Sequence, residues 1–145
     1  VRRLLAASCL VVAAVTATAD DSAFTSGTSL DHVKGPEIYS RICQGCHMPG
    51  GVGAVGAAAY PRLAGDPALV SWQYVALTVL NGKNGMPPFG LPADQVTETR
   101  AVHLSDAQIA DVVNYVRTSF GNRYKDQATP AQVAALPHPG RPPAP

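Results

Sequence analysis

Cys43-Gln44-Gly45-Cys46-His47 is the stretch of this chain whose residue types and spacing carry chemistry. Two thiols three positions apart project from about one turn of backbone, the spacing at which they form thioethers with the two vinyl groups along one porphyrin edge. The histidine that follows falls beneath such a ring, where an imidazole nitrogen serves as the proximal ligand of an iron. The motif occurs once and predicts one covalently attached haem c, held through Cys43, Cys46 and His47. Other uses of a C-x-x-C pair fit worse. A structural zinc site takes four ligands, and the sequence holds no second Cys pair or finger-spaced His pair. A thioredoxin-like site sits beside a βαβ pattern, and no strand run flanks this one.

An iron bound by His47 needs a sixth ligand or keeps an open position. Met48 is adjacent to His47 and tied to the same side of the ring. Met86 lies in Asn84-Gly85-Met86-Pro87-Pro88-Phe89, where glycine permits close backbone approach and two prolines stiffen the loop presenting the thioether. Met86 is therefore the expected second metal ligand beside His47. His32, His103 and His138 are rivals, but their positions in a leader, before a capping serine and in a proline-rich tail read as ordinary surface histidines. A His/Met pair raises the reduction potential and leaves no vacant position for oxygen or peroxide, which favours electron transfer over catalysis. The alternative is a haem enzyme or gas-binding sensor with an open or displaceable sixth position.

Helices must position these groups. A first helix is expected from about Pro36 to Cys43, with Pro36 at the first position, Glu37 at the positive end, and Ile38, Tyr39 and Ile42 on one face. Residues 48–65 read as a Gly/Pro-rich loop. A second helix is expected from the cap Asp66 to Leu80-Asn81, with Gly82 as its stop. The clearest helix runs from Asp106 to about Ser119, with capping-box spacing at Ser105 and Gln108 and an apolar face of Ile109, Val112, Val113 and Val116. A short helical turn is expected at Thr129-Pro130. From Pro137 onward five prolines in nine residues predict an extended, solvated tail.

The ends of the chain and its charge bound its setting. Arg2 and Arg3, an apolar run of twelve residues from Leu4 to Val15, and Ala17-Thr18-Ala19 have the order of a signal peptide cleaved after Ala19. The run is short of the roughly 18 apolar residues of a membrane span, so no transmembrane span is expected unless the signal is retained. Removing 19 of 145 residues leaves 126, enough for one modest domain. The full chain is at +1, and loss of Arg2 and Arg3 brings it to about −1. With no basic run there is no electrostatic footprint for nucleic acid. Export to the periplasm is expected, with residues 1–19 as signal, 20–34 as flexible leader, 35–122 as the haem domain and 123–145 as a Pro-rich C-terminal extension.

These residues together resemble a class I cytochrome c. Gly35, Tyr39 and Cys43, spaced by four, are similar to the family's N-terminal helix, and Val112 and Tyr115 match its partners on the last helix. The resemblance implies an all-α cytochrome c-like fold around one haem, with Tyr39 and Tyr115 packed where two helices cross closely over Gly35. Tyr60-Pro61-Arg62-Leu63-Ala64-Gly65 resembles the loop whose proline carbonyl accepts the proximal histidine's Nδ1 proton, which implies that role for Pro61. A narrower likeness joins Asn114 to Asn122, with Thr129 and Val133, to cytochrome c subunits of periplasmic alcohol, sugar-acid and aldehyde dehydrogenases. Those subunits commonly carry three haem domains. Extra residues between Phe89 and Leu104 set this sequence apart. The implied role is a non-enzymatic single-electron carrier between a periplasmic dehydrogenase and an oxidase or other cytochrome of the respiratory chain.

Overall fold

The computed structural model describes residues 30, 32–56, 58–96 and 102–140. The expected signal peptide and most of the expected leader lie outside them. The architecture is mostly helical: α1 (Gly35–Ile38), a π-helical turn (Tyr39–Cys43), α2 (Gln44–His47), α3 (Trp72–Asn81), α4 (Asp106–Thr118) and α5 (Pro130–Ala134). Two strands of two residues each, β1 (Ala54–Val55) and β2 (Ala59–Tyr60), pair antiparallel in the loop after α2. This small hairpin is an addition to the all-α expectation and leaves the fold class unchanged.

Helix α4 is the centre of the molecule, packing against α1, α3 and α5. Its start is a complete capping box, in which Ser105 and Gln108 each satisfy the other's backbone N–H. Ile109 and Val113 are fully buried on its inner face, and each such side chain contributes about 1.5–3 kcal/mol by leaving water. Ile38, Leu69, Val75, Ala76, Leu80 and Val133 complete the core from the other elements. Gly35 is required where α1 crosses α4, because a Cβ there would stand 2.4 Å from the Asp111 carbonyl oxygen. The crossing brings the Tyr39 and Tyr115 ring centroids to 5.7 Å.

Several boundaries differ from the sequence reading. The first helical stretch runs on through the haem motif to His47, past the expected end at Cys43, since nothing before Met48-Pro49 breaks it. Asp66 is a cap as expected, its carboxylate accepting from the Ala68 N–H at 2.9 Å, but the α-helix does not start there. Pro67–Val70 forms a 3-10 turn, Ser71 is extended, and α3 begins at Trp72 with the Ser71 hydroxyl accepting from the Tyr74 N–H at 3.2 Å. The cause is distant in sequence. The buried Arg117 donates to the carbonyls of Leu69 (2.8 Å) and Val70 (3.0 Å), which a continuous helix would use for itself. Arg117 also donates to the Asp126 carboxylate at 2.7 Å and stacks over the Tyr124 ring.

Neither flank of the haem domain is loose where it is described. Leu30 and Val33 pack against the core, and the Leu30 carbonyl accepts from Gln108. Beyond residue 122 the chain stays packed on the haem domain, since Ala128 and Val133 are buried and Asn114 bonds both the N–H and the carbonyl of Ala128. The expectation of a solvated tail from Pro137 fails at its start. The His138 side chain is 4% exposed, held between the Leu136 carbonyl (2.7 Å) and the Asp106 carboxylate (2.6 Å). A hydrogen bond of this kind has no signal among the prolines.

Candidate haem site

Cys43 closes the π-helical turn and Cys46 and His47 lie in α2, so one helical stretch carries all three. Neither cysteine is in a disulfide. Burial pushes the Cys43 thiol up to about 11. A redox-active C-x-x-C pair needs a thiol held low, and Cys43 is held high instead. Cys46 is exposed.

His47 Nδ1 lies 2.9 Å from the Pro61 carbonyl oxygen. The carbonyl can only accept, so Nδ1 carries the proton and Nε2 keeps its lone pair for a metal. Side chains and backbone from well-separated segments hold the Pro61 loop in place. The Gly51 carbonyl accepts from the Leu63 and Ala64 N–H groups at 2.8 and 2.9 Å. Buried Asn122 accepts from the Gly65 N–H (2.9 Å) and donates to the Leu63 (2.9 Å) and Val116 (2.8 Å) carbonyls, tying the loop to the end of α4. Sequence reasoning assigned no role to Asn122. A polar residue beside a glycine at a helix end looks like an exposed turn.

Met86 comes from a different segment and is half-buried against the core. It closes a tight turn in which Lys83 and Met86 exchange backbone hydrogen bonds at 3.1 and 2.9 Å, around Asn84 in the left-handed region (φ 54°). The turn is anchored to α3, since the Phe89 and Gly90 N–H groups donate to the Val79 and Leu80 carbonyls, both at 3.0 Å. Gly82, at φ 72°, ends α3, and a Cβ there would stand 2.5 Å from the Met86 carbonyl oxygen. No hydrogen bond joins Met86 to His47 or Pro61. Of the rival ligands, His138 has both ring nitrogens occupied and is removed from candidacy. His32 and His103 are exposed, and His103 Nδ1 lies 2.6 Å from the Leu91 carbonyl oxygen.

The donor set fits a c-type haem: two unbridged thiols, an imidazole with its outer nitrogen fixed, a thioether on a stiff turn, and partly exposed apolar residues Ile42, Leu63, Trp72 and Val79 packed on the core. Trp72 serves that packing. The Tyr74 hydroxyl accepts from the Lys83 ammonium at 2.8 Å. Among the described residues no helix is long and apolar enough to cross a membrane.

Comparison with known proteins points to one family. The family model of cytochrome c matches residues 32–120. The chain is 36% identical over 112 residues to the cytochrome c subunit of a quinone alcohol dehydrogenase from Gluconacetobacter polyoxogenes, covering 76% of this chain and 24% of that protein. It is 36% identical over 118 residues to the gluconate 2-dehydrogenase cytochrome c subunit of Pantoea cypripedii, covering 73% of this chain and 24% of that one. Cytochrome c-552 of Thermus thermophilus is 33% identical over 105 residues, covering 68% of each chain. The chain thus spans about a quarter of the length of the dehydrogenase subunits it matches. No solved structure matches it.

Proposed function

The chain belongs to the cytochrome c family, and on that premise we propose that it is an exported single-haem carrier, taking electrons from a periplasmic dehydrogenase and passing them to an oxidase or another cytochrome. It is an electron-transfer protein rather than a catalyst, and its cofactor is covalently bound haem c. The dehydrogenase assignment rests on relatives named as cytochrome c subunits of such enzymes. Export rests on the signal-like order of residues 1–19, and the folded haem unit is taken to run past residue 122 because α5 packs on α4.

The bond from His47 Nδ1 to the Pro61 carbonyl carries this reading. Haem c supplies a one-electron iron couple, and the protein's part is to hold it and set its potential. Cys43 and Cys46 would hold one edge of the ring by thioethers. His47 Nε2 would bind the iron, with Pro61 orienting the imidazole and raising its basicity. Met86 would offer the second ligand, a thioether that favours the reduced iron.

Haem staining after denaturing electrophoresis and spectra of the purified protein test this. One covalent haem per chain is expected, low-spin when ferric and slow to take carbon monoxide when ferrous. Met86→Ala keeps the haem but lowers the midpoint potential and speeds carbon monoxide binding. A high-spin wild type that readily takes carbon monoxide sinks the His/Met assignment and favours an open-site enzyme or sensor.

A further inference from the structure

Met48, directly after the proximal histidine, stands at φ 64° and ψ 160°, a conformation nearly confined to glycine. It caps α2, which continues from a π-helical turn, a form itself rare and frequent at functional sites. What holds Met48 there is visible. The Tyr39 hydroxyl donates to the Met48 carbonyl at 2.7 Å, and the Gly51 N–H donates to the same oxygen at 3.1 Å. Tyr39 is 2% exposed, its ring packed on Phe120 and Tyr115 with centroids at 4.8 and 5.7 Å. A phenylalanine would serve that packing equally, so the hydroxyl answers to something other than the core.

The consequences run on to the ligand. Gly51, joined to Met48 by its N–H, receives the Leu63 and Ala64 N–H groups through its carbonyl, and Leu63 is two residues from Pro61. The Gly53 N–H returns to the His47 carbonyl at 3.0 Å. The turn that Met48 begins is therefore the scaffold on which the Pro61 carbonyl meets His47 Nδ1. We propose that Tyr39 is a positioning residue for the proximal ligand: its hydroxyl holds Met48 in a glycine-like conformation, and that turn sets the His47–Pro61 hydrogen bond. The inference rests on His47 being the haem ligand.

The test compares wild type, Tyr39→Phe, and Tyr39→Phe combined with Met48→Gly, all as haem-bearing proteins. Tyr39→Phe speeds amide exchange at Gly51 and Leu63 about fivefold, the effect of one lost hydrogen bond. It also raises the midpoint potential, because a weaker Nδ1 bond leaves His47 a poorer donor to ferric iron. Met48→Gly restores both, since glycine holds the turn without help. No change on Tyr39→Phe, or no recovery on adding Met48→Gly, overturns the proposal and reduces Tyr39 to packing. Failure of the carrier reading shows separately, as a wild type without covalent haem, and amide exchange then still decides whether the hydroxyl holds the turn.

Discussion

Met48 and Gly82 adopt nearly the same backbone conformation, φ 64° with ψ 160° and φ 72° with ψ 169°, each at the C-terminal end of a helix. One opens the loop that leads from His47 to Pro61, and the other opens the turn that carries Met86. On the Met86 side a glycine takes the conformation at little steric cost, and the rest of the turn is held by its own backbone and by α3. On the His47 side a residue with a side chain takes it, held by the Tyr39 hydroxyl from the first helical stretch, and the far end of the loop is held by Asn122 from beyond α4. The Met86 turn is a local construction, whereas the His47 loop is a product of the assembled fold.

That contrast can be broken by mutation. Asn122→Ala removes three hydrogen bonds and leaves the Gly65 N–H and the Leu63 and Val116 carbonyls without their partner. A loss of about 3 kcal/mol in unfolding free energy is expected, at about 1 kcal/mol per bond. Denaturant titration checks this, and a cost under about 1 kcal/mol means the loop is held locally after all. Gly82→Ala is next, at about 2 kcal/mol for the conformation alone, and its Cβ must also push the Met86 carbonyl aside. Its damage should stay on its own side. The ferric spectrum loses Met-ligated character while the nuclear magnetic resonance signal of the His47 Nδ1 proton holds its position, and movement of both would show the two sides to be coupled.

The smallest effect concerns the clamp that starts α3. The hydrogen bond from Arg117 holds the Asp126 carboxyl below its ordinary range. A carboxylate lowered on folding adds stability above its unfolded value, and that contribution disappears as pH falls through the folded value. Asp126 is 62% exposed, so the contribution is small. In Asp126→Asn the stability deficit seen at neutral pH should shrink steadily below the usual aspartate range. A deficit constant with pH would show that charge has no share in it.

Much of this was legible beforehand where the signal is local. The capping boxes at Ser105–Gln108 and Thr129–Gln132 join residues three apart, and the expected helix starts at both places are the observed ones. The helix expected from Asp66 failed because its competitor, Arg117, lies 48 residues beyond Leu69. The tail misled for a similar reason. Its prolines predict an extended, solvated chain, and only the fold brings Asp106 within reach of His138.

By itself the sequence pointed to the chemistry: C-x-x-C-H implies a covalent haem c and offers His47 as its ligand, because thioether and ligand spacing is a property of one turn of backbone. It also determined where α4 and α5 begin, through caps that close within three residues. Tertiary structure alone decided how tightly the histidine is aimed. Tyr39 reaches the Met48 carbonyl and Asn122 reaches Leu63, 59 residues away, and such bonds behind the Pro61 loop have no period or spacing to announce them.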